Sequence, residues 1–571
     1  MKNTTAMADY ELRHIEALRK DLAGCTVLLK KDSSFPLEKP CTLAAYGSGV
    51  RRTIRGGTGS GEVNSRYIVT IEEGLQQAGF TLTGMEWHTG YEQAREKAHK
   101  AFLKQLKKDA KAAKQNFILY GMGKVMPEPE YDLPLNAEGD AAIYVVSRIS
   151  GEGNDRTPLK GDIRLTDSEV RDILALDKKF TRFMLVLNVG GVVDLSPVMS
   201  VRNILLLSQL GVETGCALAD ILLGKANPSG KLTTTWAAFE EYPEMPDFED
   251  MNETRYREGI YVGYKFYETA AAEGLIDYDK TVVYPFGRGL SYTTFTQTLN
   301  SVTEADGTIT LDVTVTNTGS ASGKEVVEVY YNPPYTNGGI EKASANLIGF
   351  AKTSELAPGA SENVTVTFKA EDMASYDTYG KGCYVLEKGD YVISINADSH
   401  TVLDSKVYNV ASDIVYDASN KRESDVEVAD NKFDFAEGNV TYLSRADGFA
   451  NYAEATAAPA DFELPAEAKA TFYNNSNWNP EDFNNADDVA PTTGAKNGLK
   501  LKDMVGVDYN DAQWDAFLDQ LTVSDMDSLI ALGGYQSVAV SSIGKVQAID
   551  CDGPASINNN FTKQGSIGFP S

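Results

Sequence analysis

The hydrophobic pattern of this chain changes its period near residue 300, and that change limits what the chain can fold into. Before it, buried strand-like runs such as CTLAAYG (41–47) and AAIYVVSRI (141–149) alternate with helical segments. After it, segments such as TITLDVTVTN (308–317) alternate apolar and polar residues between Gly, Asn and Pro turns. The first pattern predicts an α/β domain with a mostly parallel sheet, and the second predicts an antiparallel β-sandwich.

Local signals support the α/β prediction. Thr166 and Glu169 have the spacing of a capping box, which predicts a helix that begins after Thr166. The segment that begins at 213 predicts a helix that stops at Gly224. A Lys-rich helix is predicted over about 92–115.

The region that follows the sandwich is different in composition. Residues 405–495 are rich in Asp, Glu, Asn and Ala, which predicts a long acidic connector, and a helix capped by Thr522 follows it. A chain of 571 residues is too long for one core. The predicted domains are an α/β domain, a β-sandwich, the connector and a last, incomplete domain: 1–298, 299–404, 405–495 and 496–571.

The formal charge of −28 narrows the possible partners. Phosphate binding needs stripes of Lys and Arg that release counterions, so nucleic acid is excluded, and anionic membranes are excluded for the same reason. A neutral substrate such as a sugar is compatible with this charge.

The cysteines and histidines indicate neither a disulfide framework nor a metal site. Five cysteines are widely spaced without a CxxC pair, and the four histidines make no ligand-type cluster. The first twenty residues lack the apolar stretch of a secretion signal, and no window resembles a membrane span. These features predict a soluble, cytoplasmic, multidomain protein.

A glycine-rich segment, GGTGSGEVN (56–64), lies between a predicted strand and a helix. Such segments bind phosphate when backbone amides point at a ligand. The dinucleotide motif would need glycine at position 62 or 64, which are Glu62 and Asn64, and no GK[ST] follows. The spacing favours a tight connection near a pocket over a nucleotide site.

A second segment, SRISGEGNDR (147–156), lies where a buried strand ends. Glu152 stands between two glycines, which permit a backbone that projects the carboxylate into a cleft at the carboxyl end of the strand. Asp155 and Arg156 can brace this loop as an ion pair. From the residues alone, an exposed glutamate in a polar turn is the favoured interpretation, because surface glutamates are abundant.

The sequence SGEGNDR resembles the acid/base loop of glycoside hydrolase family 3. Further segments resemble this family in its own order, among them LADILLGKANPSGKL (218–232) and YPFGRGLSY (284–292). VTVTNTGSASGKEVVEVYY (313–331) resembles its fibronectin III-like domain. LTVSDMDSLI (521–530) and DGPASINNN (552–560) resemble the beginning of its TIM-type (β/α)8 barrel. The resemblance implies a permuted order in which the barrel comes last.

The resemblance also implies a function and three site residues. Members of the family are retaining β-glycosidases without a metal or organic cofactor, and the subgroup with this domain order acts on β-linked glucosides or oligosaccharides. Glu152 is implied as the general acid/base. Asp552 is implied as the carboxylate that grips hydroxyls of the sugar, and Ser60 as a second residue that reaches it.

The nucleophile of the family is an aspartate within a Ser-Asp-Trp run, and no residue of this sequence matches that run. The resemblance therefore predicts a fragment, truncated within the barrel, that does not hydrolyse glycosides by itself. The alternative is a non-catalytic protein that binds glycans or depends on a partner to complete its site. The hypothesis of a nucleotide-dependent enzyme rests only on the glycine-rich segment, and the glycine spacing there does not match a nucleotide-binding motif.

Overall fold

The computed structural model describes residues 7–59, 61, 63, 65–121, 124–150, 156–243, 250, 252–433, 440–464, 466–471 and 478–551. The described residues divide into two compact units, one up to Phe462 and one from Glu463 to Cys551. Among the described helices, none has the length and apolar composition that a membrane crossing requires.

The first unit begins with the predicted α/β domain. Its sheet has six strands in the order β1-β6-β5-β4-β2-β3, and only β1 runs antiparallel to its neighbour. The prediction of a mostly parallel sheet is therefore confirmed. These strands are β1 (Val27–Lys30), β2 (Thr42–Tyr46), β3 (Thr81–Thr83), β4 (Ala141–Arg148), β5 (Phe183–Val189) and β6 (Ile204–Leu206).

Strand β4 runs through the middle of the domain, and all eight of its residues are buried. Ile143 and Val145 belong to the core on one face of the sheet, whereas Tyr144 and Val146 belong to the core on the other. A parallel strand covered on both faces has no solvent side, which explains why its sequence is a continuous apolar run.

Helices cover both faces of this sheet. The capping box predicted at Thr166 is present, with the Thr166 hydroxyl accepting from the Glu169 backbone N–H. The Lys-rich helix begins at Met85, earlier than predicted, because Trp87 and Tyr91 pack in the core. The helices are α1 (Asp9–Asp21), α2 (Ile71–Gln77), α3 (Met85–Ala112), α4 (Phe117–Gly121), α5 (Asp167–Lys179) and α6 (Thr214–Leu222).

A small layer joins the α/β domain to the sandwich. Strands β7 (Trp236–Ala237) and β8 (Val282–Tyr284) form an antiparallel pair. Phe266 and Phe449 belong to the same core cluster of this layer, so residues beyond the sandwich fold back onto it. Its helices are α7 (Tyr264–Ala272), α8 (Tyr278–Thr281), α9 (Ala446–Phe449) and α10 (Tyr452–Ala455).

The β-sandwich is antiparallel, as predicted. Strand β10 alternates buried and partly exposed residues along its whole length, so that Ile309, Leu311, Val313 and Val315 face the core. Its sheets have the orders β13-β10-β9, β12-β11-β16-β17 and β14-β15-β18. The strands are β9 (Phe295–Ala305), β10 (Thr308–Asn317), β11 (Val326–Asn332), β12 (Asn346–Lys352), β13 (Ser361–Lys369), β14 (Ser375–Tyr376), β15 (Tyr384–Leu386), β16 (Gly389–Asn396), β17 (Val402–Val410) and β18 (Ile414–Tyr416).

The second unit has a small core that includes Met504, Phe517 and Ile543. Its last helix is capped by Thr522, as predicted. The described residues of this unit form no closed barrel, so the beginning of a barrel stays a prediction, as do the four domain limits. The elements are α11 (Ala466–Thr471), α12 (Gln513–Leu518), α13 (Val523–Ala531), β19 (Gln536–Ser537) and β20 (Ala548–Ile549).

Candidate active site

The three residues predicted for the site, Glu152, Ser60 and Asp552, lie outside the described residues. The structure does describe both flanks of the loop that contains Glu152. That loop follows β4 at the carboxyl edge of the sheet, which is where ligands bind in open α/β folds.

The loop begins at Arg148, the last residue of β4. Its guanidinium is buried and donates to Oε2 of Glu169 at 2.6 Å. It also donates to the carbonyl oxygen of Asp162 at 2.9 Å. A buried arginine is costly unless its charge is paired and its N–H groups are bonded, and both conditions hold here. Arg148 therefore fixes the start of the loop to the segment that follows it.

The loop ends at Arg156, which is also bound to Asp162. Nε of Arg156 lies 2.6 Å from Oδ1 of Asp162, and its Nη1 donates to the Val192 carbonyl at 3.0 Å. The backbone N–H of Thr157 donates to Oδ2 of Asp162 at 2.6 Å. The ion-pair partner predicted for Arg156 was Asp155, which lies outside the described residues. The partner that the structure describes is Asp162.

The glycine-rich segment contacts the first residues of this loop. The backbone N–H of Thr58 donates to the carbonyl of Ser150 at 3.0 Å. Gly190, just after β5, is packed closely against two side chains, since a Cβ there would lie 2.6 Å from Nε2 of Gln209 and 2.8 Å from Oγ of Ser150. Three segments that follow parallel strands therefore meet at the base of the loop.

A cavity of about 450 Å³ opens beside the loop, between α3 and the carboxyl ends of β2 and β4. Glu128 lines it and accepts a short hydrogen bond from the Tyr91 hydroxyl. Burial raises the pKa of Glu128 to about 7, although the positive charge of Arg148 opposes that shift. A carboxyl group with this pKa can hold or release a proton near neutral pH.

Sequence reasoning missed Arg148, Asp162 and Glu128. Arg148 carried a signal, since it is a charge at the end of an otherwise apolar buried strand, and such a charge needs a buried partner. No local pattern marks Asp162 or Glu128. Among the residues that the structure describes, no group of His, Cys, Asp and Glu could hold a metal ion.

Comparison with known proteins agrees with this architecture. The family profile described as "Glycosyl hydrolase family 3 C-terminal domain" matches residues 26–292. A second profile, "Fibronectin type III-like domain", matches residues 325–399. The chain carries the C-terminal domain of glycosyl hydrolase family 3. This family 3 domain contains the whole six-stranded sheet and the loop between Arg148 and Arg156.

Relatives match a large part of this chain. Beta-glucosidase A of Butyrivibrio fibrisolvens is 36% identical over 426 residues, which cover 66% of this chain and 49% of that protein. The structure of beta-glucosidase 3B from Thermotoga neapolitana with glucose is 32% identical, with a TM-score of 0.58, and the match covers 72% of this chain and 55% of that one. The chain thus spans about half the length of these relatives.

One further structure matches almost all of this chain. A beta-glucosidase from Paenibacillus barengoltzii has a TM-score of 0.68 and covers 97% of this chain and 59% of its own. Its sequence identity is 24%, so the match concerns the fold alone. The order of the family 3 C-terminal domain and the fibronectin type III-like domain is the order predicted from the sequence.

Proposed function

We propose that this chain supplies the family 3 C-terminal domain and the fibronectin type III-like domain of a retaining hydrolase that acts on β-glucosides, and that Glu152 is its general acid/base. The observation that supports this role most directly is the anchored loop. Arg148 and Arg156 flank the loop, and both are bound to Asp162. A loop held at both ends can present one side chain to a substrate reproducibly.

Retaining hydrolysis needs two carboxyl groups about 5–5.5 Å apart on opposite sides of the glycosidic bond. In this proposal Glu152 protonates the departing oxygen and then removes a proton from the water that releases the sugar. Asp552 accepts hydrogen bonds from sugar hydroxyls, and Ser60 adds a further contact. These three roles come from the family resemblance of the motifs that contain them.

The first experiment tests Glu152 in the hydrolase to which this chain is proposed to contribute these domains. Glu152→Gln is expected to slow hydrolysis most for glucosides with poor leaving groups, because only these need protonation to depart. Azide should restore turnover of substrates with good leaving groups, since it attacks the glycosyl-enzyme without a base. Glu138→Gln, which changes an exposed glutamate in the same domain, is the matched control. Equal losses for good and poor leaving groups would contradict the assignment.

The second experiment concerns the 571-residue chain itself. No residue in it matches the nucleophile motif, so we propose that it does not hydrolyse glycosides alone. Pure chain is incubated with 4-nitrophenyl β-glucoside, and measurable release of nitrophenol would overturn this proposal. Binding of glucose without turnover would support the alternative, a half-enzyme that binds glycans or needs a partner.

A further inference from the structure

The cavity beside β4 has a charge pattern that the proposed hydrolysis does not use. The described residues that line it include five arginines, Arg51, Arg52, Arg55, Arg95 and Arg148, and two carboxylates, Glu128 and Asp162. This local excess of positive charge stands out in a chain with a formal charge of −28.

Most of these charges are already paired. Arg148 binds Glu169, Arg51 lies 2.7 Å from Glu72, and Arg52 lies 3.4 Å from Glu92. The carboxylate of Asp162 is occupied by the side chain that ends the loop. These pairs leave Arg55 and Arg95 as the cavity-lining arginines that have no carboxylate partner within 4.0 Å among the described residues.

Two of the residues that line the same space carry unused hydrogen-bonding groups. Nε of Arg55 and the hydroxyl of Ser48 are buried, and neither has a hydrogen-bond partner in the described part of the chain. Ser48 is only 5% exposed. Buried polar atoms are nearly always bonded, so two unbonded ones in residues beside one cavity favour a polar partner at this place.

We infer that this cavity binds a small anionic group, a sulfate, phosphate or carboxylate, with the guanidinium groups of Arg55 and Arg95 as its counter-charges. Guanidinium groups bind such anions through paired, charge-assisted hydrogen bonds. Both arginines are half-buried, where a counter-charge is screened less than at the surface. The anion could be carried by the departing part of a glucoside or bind as a free ion.

Calorimetric titration of the 571-residue chain with sodium sulfate tests the inference without any need for turnover. We expect saturable binding, and we expect Arg55→Gln and Arg95→Gln each to weaken it by about tenfold or more, the loss typical of one charge-assisted contact. Arg182→Gln is the matched control, because Arg182 is exposed and precedes β5 at the opposite edge of the sheet. Unsaturable binding, or equal affinity in all three variants, would overturn the inference.

The ionisation of Glu128 provides a second test, the pH dependence of sulfate affinity. It faces Tyr91 and Arg95 of α3, Arg148 of β4 and Glu169 of α5. Because the pKa of Glu128 is raised to about 7, it gains negative charge between pH 6 and pH 8 and should repel the anion. Sulfate keeps its charge over this range, so its affinity should fall with pH in the native chain and stay constant in Glu128→Gln. An affinity independent of pH in both would contradict an anion beside Glu128.

A pair of glucosides distinguishes the two sources of the anion. If a substrate carries it, 4-carboxyphenyl β-glucoside should bind about tenfold tighter than phenyl β-glucoside, and Arg95→Gln should remove the difference. If the anion is free, the two glucosides should bind equally while sulfate still binds. Failure of the hydrolysis proposal would leave the sulfate titration unaffected, so the two proposals are tested separately.

Discussion

Asp162 binds Arg156 through its carboxylate and Arg148 through its carbonyl oxygen, at 2.6 Å and 2.9 Å respectively. The two arginines stand on opposite sides of the segment that contains Glu152. One residue outside that segment therefore sets the distance between its two ends.

Asp162→Asn should loosen this loop without changing any group that touches the proposed substrate. The variant loses the ion pair with Arg156, and we expect the free energy of unfolding to fall by about 1–3 kcal/mol. Chemical denaturation measures this loss, and limited proteolysis should cut near residues 149–156 sooner. Asp132→Asn, a change at a fully exposed side chain, is the control and should have no such effect. Unchanged proteolysis in Asp162→Asn would contradict the anchoring role.

Gly190→Ala should disturb the base of the same loop. The new Cβ would lie within 3 Å of the ends of the Gln209 and Ser150 side chains, which must turn away, so we expect a cost at the lower end of the range of about 1–3 kcal/mol that is typical of overpacking. The double variant Gly190→Ala with Gln209→Ala removes one of the two clashes and should recover part of the stability in thermal unfolding. No recovery would mean that the strain arises elsewhere.

Removing one partner of the Arg148–Glu169 pair should lower the free energy of unfolding far more than removing one partner of an exposed pair. Glu169→Gln leaves a buried guanidinium without its counter-charge, for which we expect a loss of about 3–5 kcal/mol. Glu96→Gln removes half of an exposed pair on α3 and should change the free energy of unfolding far less. Denaturant titration of both variants measures the difference, and similar losses would contradict the buried-charge argument.

Glu328 should make stability depend on pH. It is buried where the sandwich meets the α/β domain, close to Gly287, and it accepts from the Tyr330 hydroxyl at 2.8 Å. Burial raises its pKa to about 8, with Asp398 adding to the shift. The native state therefore holds a proton that the unfolded chain releases above its ordinary pKa near 4.5.

The contribution of Glu328 is complete below pH 4.5 and is lost as the pH rises toward 8, by up to about 1.4 kcal/mol per pH unit. Glu328→Gln should remove this slope and raise stability at pH 8 relative to the native chain. Glu355→Gln, at an exposed position of the same domain, should leave the slope unchanged. Denaturation curves at pH 5, 6, 7 and 8 would contradict the prediction if all three proteins shared one slope.

The parts of the fold that sequence predicts are those with a local cause. The Thr166–Glu169 spacing predicts the start of α5 because a capping box is made by residues three apart. The alternation in β10 predicts its buried face for a similar reason. The start predicted for α3, near residue 92, was wrong. The true start depends on Trp87, which packs against side chains from strands distant in sequence.

In the candidate site, too, features with a local cause could be predicted from the sequence and features that depend on distant contacts could not. Glu152 was identified because its motif is contiguous, and that assignment stays a prediction. The cavity could not be predicted, since Arg55, Arg95, Glu128 and Arg148 are far apart in sequence and meet only through the order of the parallel strands. The charge balance of the cavity depends on which of its arginines form ion pairs. No local sequence pattern predicts these ion pairs.

The carboxylate of Glu169 accepts hydrogen bonds from two different parts of the domain. The same oxygen, Oε2, accepts from the backbone N–H of Thr166, which closes the first turn of α5, and from Arg148, which holds the start of the loop. Both structures therefore depend on the position of this one carboxylate. The first turn of this helix and the base of the loop should therefore form a single cooperative unit, whose amide hydrogens exchange with solvent through one shared opening. In such a unit, the anchoring of the Arg148 side chain is inherited from the stability of the helix.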